Sequence, residues 1–448
     1  MSTNYNTPLG TRYKPEVSAI WSKEHHISLM VDVWVHGHNQ MVGSLFPKEL
    51  AQERMLDNRF QLALPTVKQE LYDLADSYEG SFQHETVAIL EAVKEVLYKN
   101  TPTLFHVGLT SSDIQDQVVL AQQIESLIHL GARVERLLVG MSLNARQGNY
   151  YQELIGRTHL QPAEPVTLLH RMNLFAHDLR NWHDQATFTL NTVLSPYLRV
   201  MTGSVGTQTN IVAMMQSVSS QSYLIPFNSA RPKSQTLPRM LDVHYAQVLD
   251  SLAAILHKFA LDFRVESGFG SIVEGASKNR VGSSAMPYKK NPITAENICS
   301  LSRHVHHLIG DAWDNASQQI LERTLDDSAN RRFWIPESTQ LTDHILTKTE
   351  ILVGDLANIA ETPASVWSDI WLASRQQTLN QLTKYFLDSG HVTFKPNLHP
   401  DDDFLVHVRA QGMTQLGFLP GKYTKTFCNT SFTWPHQPSC SWKGDKYE

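Results

Sequence analysis

Between Gly282 and Pro292 the chain reads GSSAMPYKKNP, which places an activatable hydroxyl, a cation and a carboxamide on one short stretch. Gly282 frees the backbone, Ser283 and Ser284 offer hydroxyls, and Pro287 and Pro292 keep the segment out of a helix interior. Lys289 is a point charge suited to developing negative charge, and Asn291 can donate to a carboxylate oxygen. Chemistry on a carboxylate-bearing substrate fits these residues. On composition alone, a Gly/Ser/Pro turn carrying a solvated lysine pair is the favoured reading, and it is the other clusters of the chain that weigh against it.

Two further polar clusters interrupt apolar stretches. One is HVGLTSSDIQD, with His106, Thr110, Ser111, Ser112 and Asp113; the other is GRTHLQPAEP, with Arg157, Thr158, His159 and Gln161. Each of the three clusters precedes a long helical pattern, and a helix start with unpaired N–H groups and a favourable dipole is a natural anion site. The competing reading of TSSD is a helix N-cap. For His159, one histidine among 21, it is a hydrogen-bonded loop side chain.

The elements that must position these clusters are helices. Val118, Val119, Leu127, Val134, Leu137, Leu138 and Met141 recur mostly at three- and four-residue intervals within 115–146. Similar patterns run from about Pro165 to Leu190, Met240 to Ser267, Ile293 to Leu321 and Glu337 to Ile359. The expectation is an all-α fold whose long helices pack side by side. Residues 1–110 read as an amino-terminal helical domain, 111–364 as a central long-helix bundle carrying the Ser283 loop, and 365–448 as a divergent region rich in Pro, Thr, Trp and His.

Composition narrows the classes of function. The 448 residues, 42% hydrophobic and 18% charged, are those of an ordinary globular protein. A net charge of -6 offers no basic field for nucleic acid or an anionic membrane. Cys299, Cys428 and Cys440 form no CxxC pair, as expected of reduced thiols, and neither a spanning apolar run nor a signal-peptide core is evident. A cytoplasmic location is the expectation.

Taken in order, TSSD, GRTH and GSSxMPxKxNP resemble the fumarase/aspartase superfamily, and ERTLDDSANRR at Glu322–Arg332 resembles its adenylosuccinate lyase family. Thr11–Tyr13 (TRY), Pro15–Trp21 (PEVSAIW), Gly203–Thr207 (GSVGT) and Ser234–Leu237 (SQTL) extend the similarity over about residues 8 to 360. The resemblance implies a three-domain fold whose central bundle is shared in a homotetramer, with each active site built from several chains. It implies β-elimination of fumarate from an N-succinyl nucleotide: adenylosuccinate to AMP, and SAICAR to AICAR. Ser283 would be the general base, its pKa depressed by positive charge and N–H donors. His159 would be the general acid, oriented by Glu296, with His84 assisting and Lys289 and Asn291 stabilising the carboxylate. Arg12, Tyr13, Arg323, Ser328 and Arg332 match positions holding the nucleotide and its phosphate, for which guanidinium groups are suited. Thr110, Ser111 and Gln235 match contacts to the succinyl carboxylates or purine, and Glu85 lies next to His84 near the substrate. No cofactor or metal is implied, and the partners are the small-molecule substrate and further copies of the chain, without nucleic acid or membrane.

Several features depart from that pattern. Glu85 stands where Asp is usual, Leu160 where many members carry Gly, and VHGHN at Val35–Asn39 replaces an acidic helix. A lyase for another N-succinyl compound and a non-catalytic scaffold of the same fold are therefore the alternatives. For Arg323 and Arg332 an ion pair with Asp326 or Asp327 competes with ligand binding. HETVA at His84 is not a zinc helix, because the second ligand would fall on Ala88. His304, His306 and His307 read as a surface group, and a Ser283/His159 hydrolase lacks the GxSxG elbow.

Overall fold

The computed structural model describes residues 7–46, 48–57, 59–99, 101–147, 150, 152–209, 231–275, 290–356 and a few positions between 377 and 385. Apolar stripes at helical spacing become α1 (Lys23–Leu45), α2 (Lys48–Arg54), α3 (Arg59–Phe82), α4 (Glu85–Leu97) and α5 (Ser111–Arg146). A hairpin of β1 (Glu153–Thr158) and β2 (Gln161–Thr167) leads into α6 (Leu168–Phe188). Then follow α7 (Met240–Gly268), α8 (Ile293–Leu308), α9 (Gly310–Ser317) and α10 (Asp327–Asp355). The all-α expectation stands, with this hairpin as the strand pair among the described residues.

Contacts divide the chain into two compact units. The first comprises residues 1–130, 185–250 and 304–344; the second comprises 131–184, 251–303 and 345–448. Val118, Leu127, Val134, Leu137 and Met141 of α5 are buried, as their spacing requires.

Three expected helix boundaries move. The helix expected from Pro165 begins at Leu168, because Pro162 and Pro165 deny backbone donors and hold their neighbours extended. The pattern from Ile293 to Leu321 breaks at Ile309, between α8 and α9, next to Gly310, a poor helix former. α10 starts ten residues before Glu337 and runs through Pro336, which reads as a boundary in sequence. Packing overrides the proline, since Trp334 and Ile335 are fully buried.

α10 also explains how a polar-looking sequence becomes a core helix. Its buried hydroxyls turn back on their own backbone: Thr339 donates to the Ile335 carbonyl at 2.7 Å, Thr342 to Ser338 at 2.8 Å and Thr349 to Ile345 at 2.9 Å. These three hydroxyls are thereby satisfied within the helix.

In the first unit a buried charge network ties α5, α7 and α10. Arg239 donates to Asp116 at 2.8 Å and to Asp327 at 2.5 Å. Arg331 reaches Asp242 at 2.8 Å and Asp116 at 3.1 Å, and Arg323 reaches Asp327 at 3.0 Å. Burial alone would push the Asp116 carboxyl up, but Arg239, Arg331 and Lys233 together hold it well below the usual carboxylate range. A carboxylate held low stabilises the fold above its ordinary titration range and surrenders that stability as pH falls through it. Asp116→Asn, which removes the carboxylate shared by Arg239 and Arg331 and leaves each with fewer buried counter-charges, should therefore lose up to about 3–5 kcal/mol of unfolding free energy at neutral pH. Urea titrations of both proteins from pH 7 to pH 3 should also show a shallower acid loss in the variant.

Candidate active site

The start of α5 is a reciprocal cap. The Asp113 Oδ2 accepts from the Thr110 backbone N–H at 2.9 Å and from its hydroxyl at 3.0 Å, while the Asp113 N–H donates to Thr110 Oγ1 at 3.3 Å. The other Asp113 oxygen accepts from Thr202 N–H at 3.0 Å and from Lys233 Nζ at 2.7 Å. Asp113 and Lys233 are both fully buried. TSSD is thus a cap and also the clamp that draws the 202 and 233 segments to the helix start. With Asp113 turned inward, the half-buried Ser111 hydroxyl contacts His84 Nε2 at 3.3 Å.

His84 ends the extended entry to α4, and Glu85 opens that helix. The Glu85 carboxylate accepts from Arg332 on α10 at 2.9 Å, so Arg332 pairs with Glu85 rather than with Asp326 or Asp327. Arg323 does pair with Asp327, the alternative weighed from its four-residue spacing. Beneath Glu85, Gln115 donates to Thr86 Oγ1 at 3.1 Å and meets His26 Nε2 at 3.1 Å. Burial holds the His26 imidazole below its usual range, against the pull of Glu85. His26 is a neighbour of the site that sequence reasoning missed, since nothing local distinguishes it from His25.

Gln235 is brought to the same region through its backbone, which donates to the Glu322 carbonyl at 3.2 Å, and its side chain donates to Ser204 O at 2.9 Å. Ser328 lies one turn before Arg332 on α10. Arg12 and Tyr13 lie elsewhere: the Tyr13 ring packs on His344 with centroids 4.4 Å apart. His344 is twelve residues beyond Arg332, which is about 18 Å along a helix. One chain therefore does not gather Arg12 and Tyr13 with Arg332.

In the second unit, GRTHLQPAEP is a β-hairpin, not a helix start, so the anion-site reading of that cluster is overturned. β1 and β2 pair antiparallel from Glu153↔Thr167 to Thr158↔Gln161, with a bulge between Ile155 and Arg157. Gly156 makes the bulge possible, because a Cβ there would lie 2.5 Å from the Glu164 carbonyl oxygen. His159 and Leu160 form the two-residue turn, with φ of 50° and 63°. That is the left-handed pair required by the tight turn matching strand twist, a position usually given to Asn and Gly. For a histidine and a leucine it costs about 1–2 kcal/mol each, and the turn holds the His159 side chain in solvent. Backbone strain at a tip bearing a titratable group is a mark of function.

The third cluster is described at its downstream end only, and Ser283 and Lys289 lie outside the described residues. Asn291 precedes α8, and Glu296 occupies its first turn. The helix start itself is filled by the protein: the buried Glu274 accepts from the Thr294 N–H at 3.0 Å and from its hydroxyl at 2.5 Å. Glu274 thereby ties the chain ahead of the Gly282–Pro292 stretch to the helix that follows it, a role no local motif announces. Glu296 and His159 are both exposed, and no hydrogen bond joins them among the described residues.

The hairpin makes a direct prediction. Gly156→Ala should force the bulge open, costing about 1–3 kcal/mol in thermal unfolding. It should also lower turnover more than a surface substitution such as Glu164→Gln.

The geometry can be set beside known proteins. A family model described as lyase matches residues 69–306. The adenylosuccinate lyase of Saccharomyces cerevisiae is 31% identical over 368 residues, covering 77% of this chain and 72% of that protein. The adenylosuccinate lyase of Archaeoglobus fulgidus is 31% identical over 349 residues, covering 76% and 74%. Among solved structures, a fumarate lyase from Mesorhizobium sp. BNC1 aligns with a TM-score of 0.59 at 19% identity, covering 76% of this chain and 74% of that one. The β-carboxy-cis,cis-muconate cycloisomerase of Acinetobacter calcoaceticus aligns at 0.61 with 18% identity, covering 90% and 96%, a likeness of fold. The chain belongs to the lyase family, among the adenylosuccinate lyases of the fumarase/aspartase superfamily.

Proposed function

We propose that the protein eliminates fumarate from adenylosuccinate, leaving AMP, and cleaves the succinylated carboxamide ribotide SAICAR to AICAR in the same way. One observation carries the reading: relatives named for this reaction match along more than 70% of both chains. The ERTLDDSANRR segment supports it, because it brings Arg332 on α10 to Glu85, with Ser328 one turn earlier and Arg323 paired to Asp327 at the helix start.

The chemistry assigns each group a task. The hydrogen removed is bound to carbon next to a carboxylate and is weakly acidic, so the carbanion must be delocalised and held as it forms. Ser283, as the alkoxide, takes that proton; Lys289 and Asn291 stabilise the carboxylate that receives the electron pair. As the pair returns to form the fumarate double bond, the C–N bond breaks and protonated His159 gives its proton to the departing nitrogen. His84 and Ser111, with Thr110 and Gln235, bind the succinyl end and the purine edge. Arg323, Ser328 and Arg332, with Arg12 and Tyr13, take the nucleotide. Glu85 exchanges its hold on Arg332 for a substrate contact, and Glu296 orients His159 in the assembled site.

The protein acts as a homotetramer with sites composed from several chains, and it works in the cytoplasm. The separation of Tyr13 from Arg332 along α10 supports sharing. So do large apolar side chains exposed on the second unit's helices, Leu143 at 52% and Leu174 at 55%. No described helix is long and apolar enough to cross a membrane.

Fumarate release, followed in the ultraviolet, should fall by about 10²–10⁴ in His159→Ala and at least as far in Ser283→Ala. Mixing the two inactive proteins after subunit exchange should restore part of the activity; no recovery from verified hybrids would contradict shared sites. Arg332→Ala should mainly raise KM, by about tenfold or more, through the lost phosphate contact.

A further inference from the structure

Arg157 belongs to the GRTH cluster, yet neither the elimination nor nucleotide binding gives it a task. Its guanidinium lies over the Phe269 ring, 3.8 Å from the centroid, and its Nη1 donates to the Leu160 carbonyl at 3.4 Å. Phe269 is anchored to the end of α7, where its N–H donates to the Val265 carbonyl at 3.1 Å. Phe269 is an exposed residue, and the guanidinium covers an aromatic face that water would otherwise meet. One face of the guanidinium thus lies on the ring and one edge donates to a carbonyl.

The carbonyl it holds belongs to the second residue of the strained turn. His159 and Leu160 both have positive φ, at 50° and 63°, a conformation that persists only where the surroundings impose it. We propose that Arg157 is the positioning residue for His159, a strut that runs from Phe269 on α7 to the Leu160 carbonyl and keeps the hairpin tip in its left-handed turn. A planar guanidinium can stack and donate at once; a lysine ammonium can donate but has no face to stack. The proposal rests on His159 acting as the acid. A proton donor displaced by about 1 Å loses much of its effect, so a loosened tip should lower turnover rather than binding.

Arg157→Met, Arg157→Lys, Phe269→Leu and Phe269→Tyr separate positioning from general stability. In the assembled protein, with adenylosuccinate as substrate, Arg157→Met, Arg157→Lys and Phe269→Leu should each lower kcat by about tenfold to hundredfold with KM within about threefold. Phe269→Tyr, which keeps the ring, should retain near wild-type kcat. Amide hydrogen exchange over residues 153–167 should quicken in the three impaired variants and not in Phe269→Tyr. Should Arg157→Met fail to fold, the Phe269 pair decides alone. A kcat within twofold of wild type in Phe269→Leu, or a fall in kcat with unchanged exchange over the hairpin, would overturn the proposal. Full turnover by His159→Ala would instead sink the general-acid reading, while the exchange measurement would still report whether Arg157 holds the turn.

Discussion

Asp116 is where the first unit is pinned. Its buried carboxylate accepts from Arg239 and Arg331, and those two arginines reach on to Asp327 and Asp242, so α5, α7 and α10 share one satisfied set of charges. A hydrophobic seam would hold three helices together as firmly, but it would tolerate sliding. Charges removed from water do not, because every displaced partner leaves a desolvated ion behind. The register thus fixed is what the candidate site uses. Arg332 follows Arg331 on α10, and Thr110 lies six residues before Asp116 at the start of α5.

The same economy recurs at the site. A single aspartate, Asp113, caps α5 and clamps Thr202 and Lys233, which leaves Ser111 facing His84. In the second unit a glycine bulge and a two-residue turn lift His159 to the tip of a hairpin. Glu274 closes the base of the signature stretch on Thr294. Each device spends a polar or conformationally special residue on placing a neighbour, which is how a helical fold presents chemistry at its loops.

Much of this was legible in the chain. Helical spacing located α5 and α7 to within a few residues, and the helix cap that competed with an anion site at TSSD is what Thr110 and Asp113 form. The Arg323–Asp327 pair could be weighed because its partners are four residues apart. The Asp116 network was illegible for the opposite reason: Arg239 and Asp116 are separated by 123 positions, and no periodicity relates them. The hairpin escapes the sequence because Pro165 also suits the start of a helical pattern, whereas here it pairs as an extended residue with Ile155. Pro336 misled in the other direction, since the burial of Trp334 and Ile335 that carries α10 across it is a tertiary fact.

The central claim is that two side chains far apart in sequence work on one small dicarboxylate, His159 giving a proton to nitrogen and Ser283 taking one from carbon. The most direct measurement is a crystal structure of the assembled protein with AMP and fumarate bound. The account predicts the His159 imidazole and the Ser283 hydroxyl on opposite sides of the fumarate, each within hydrogen-bonding reach of the atom it serves, and contributed by different copies of the chain. Two side chains opening into separate cavities, with the dicarboxylate touching only one of them, would contradict it.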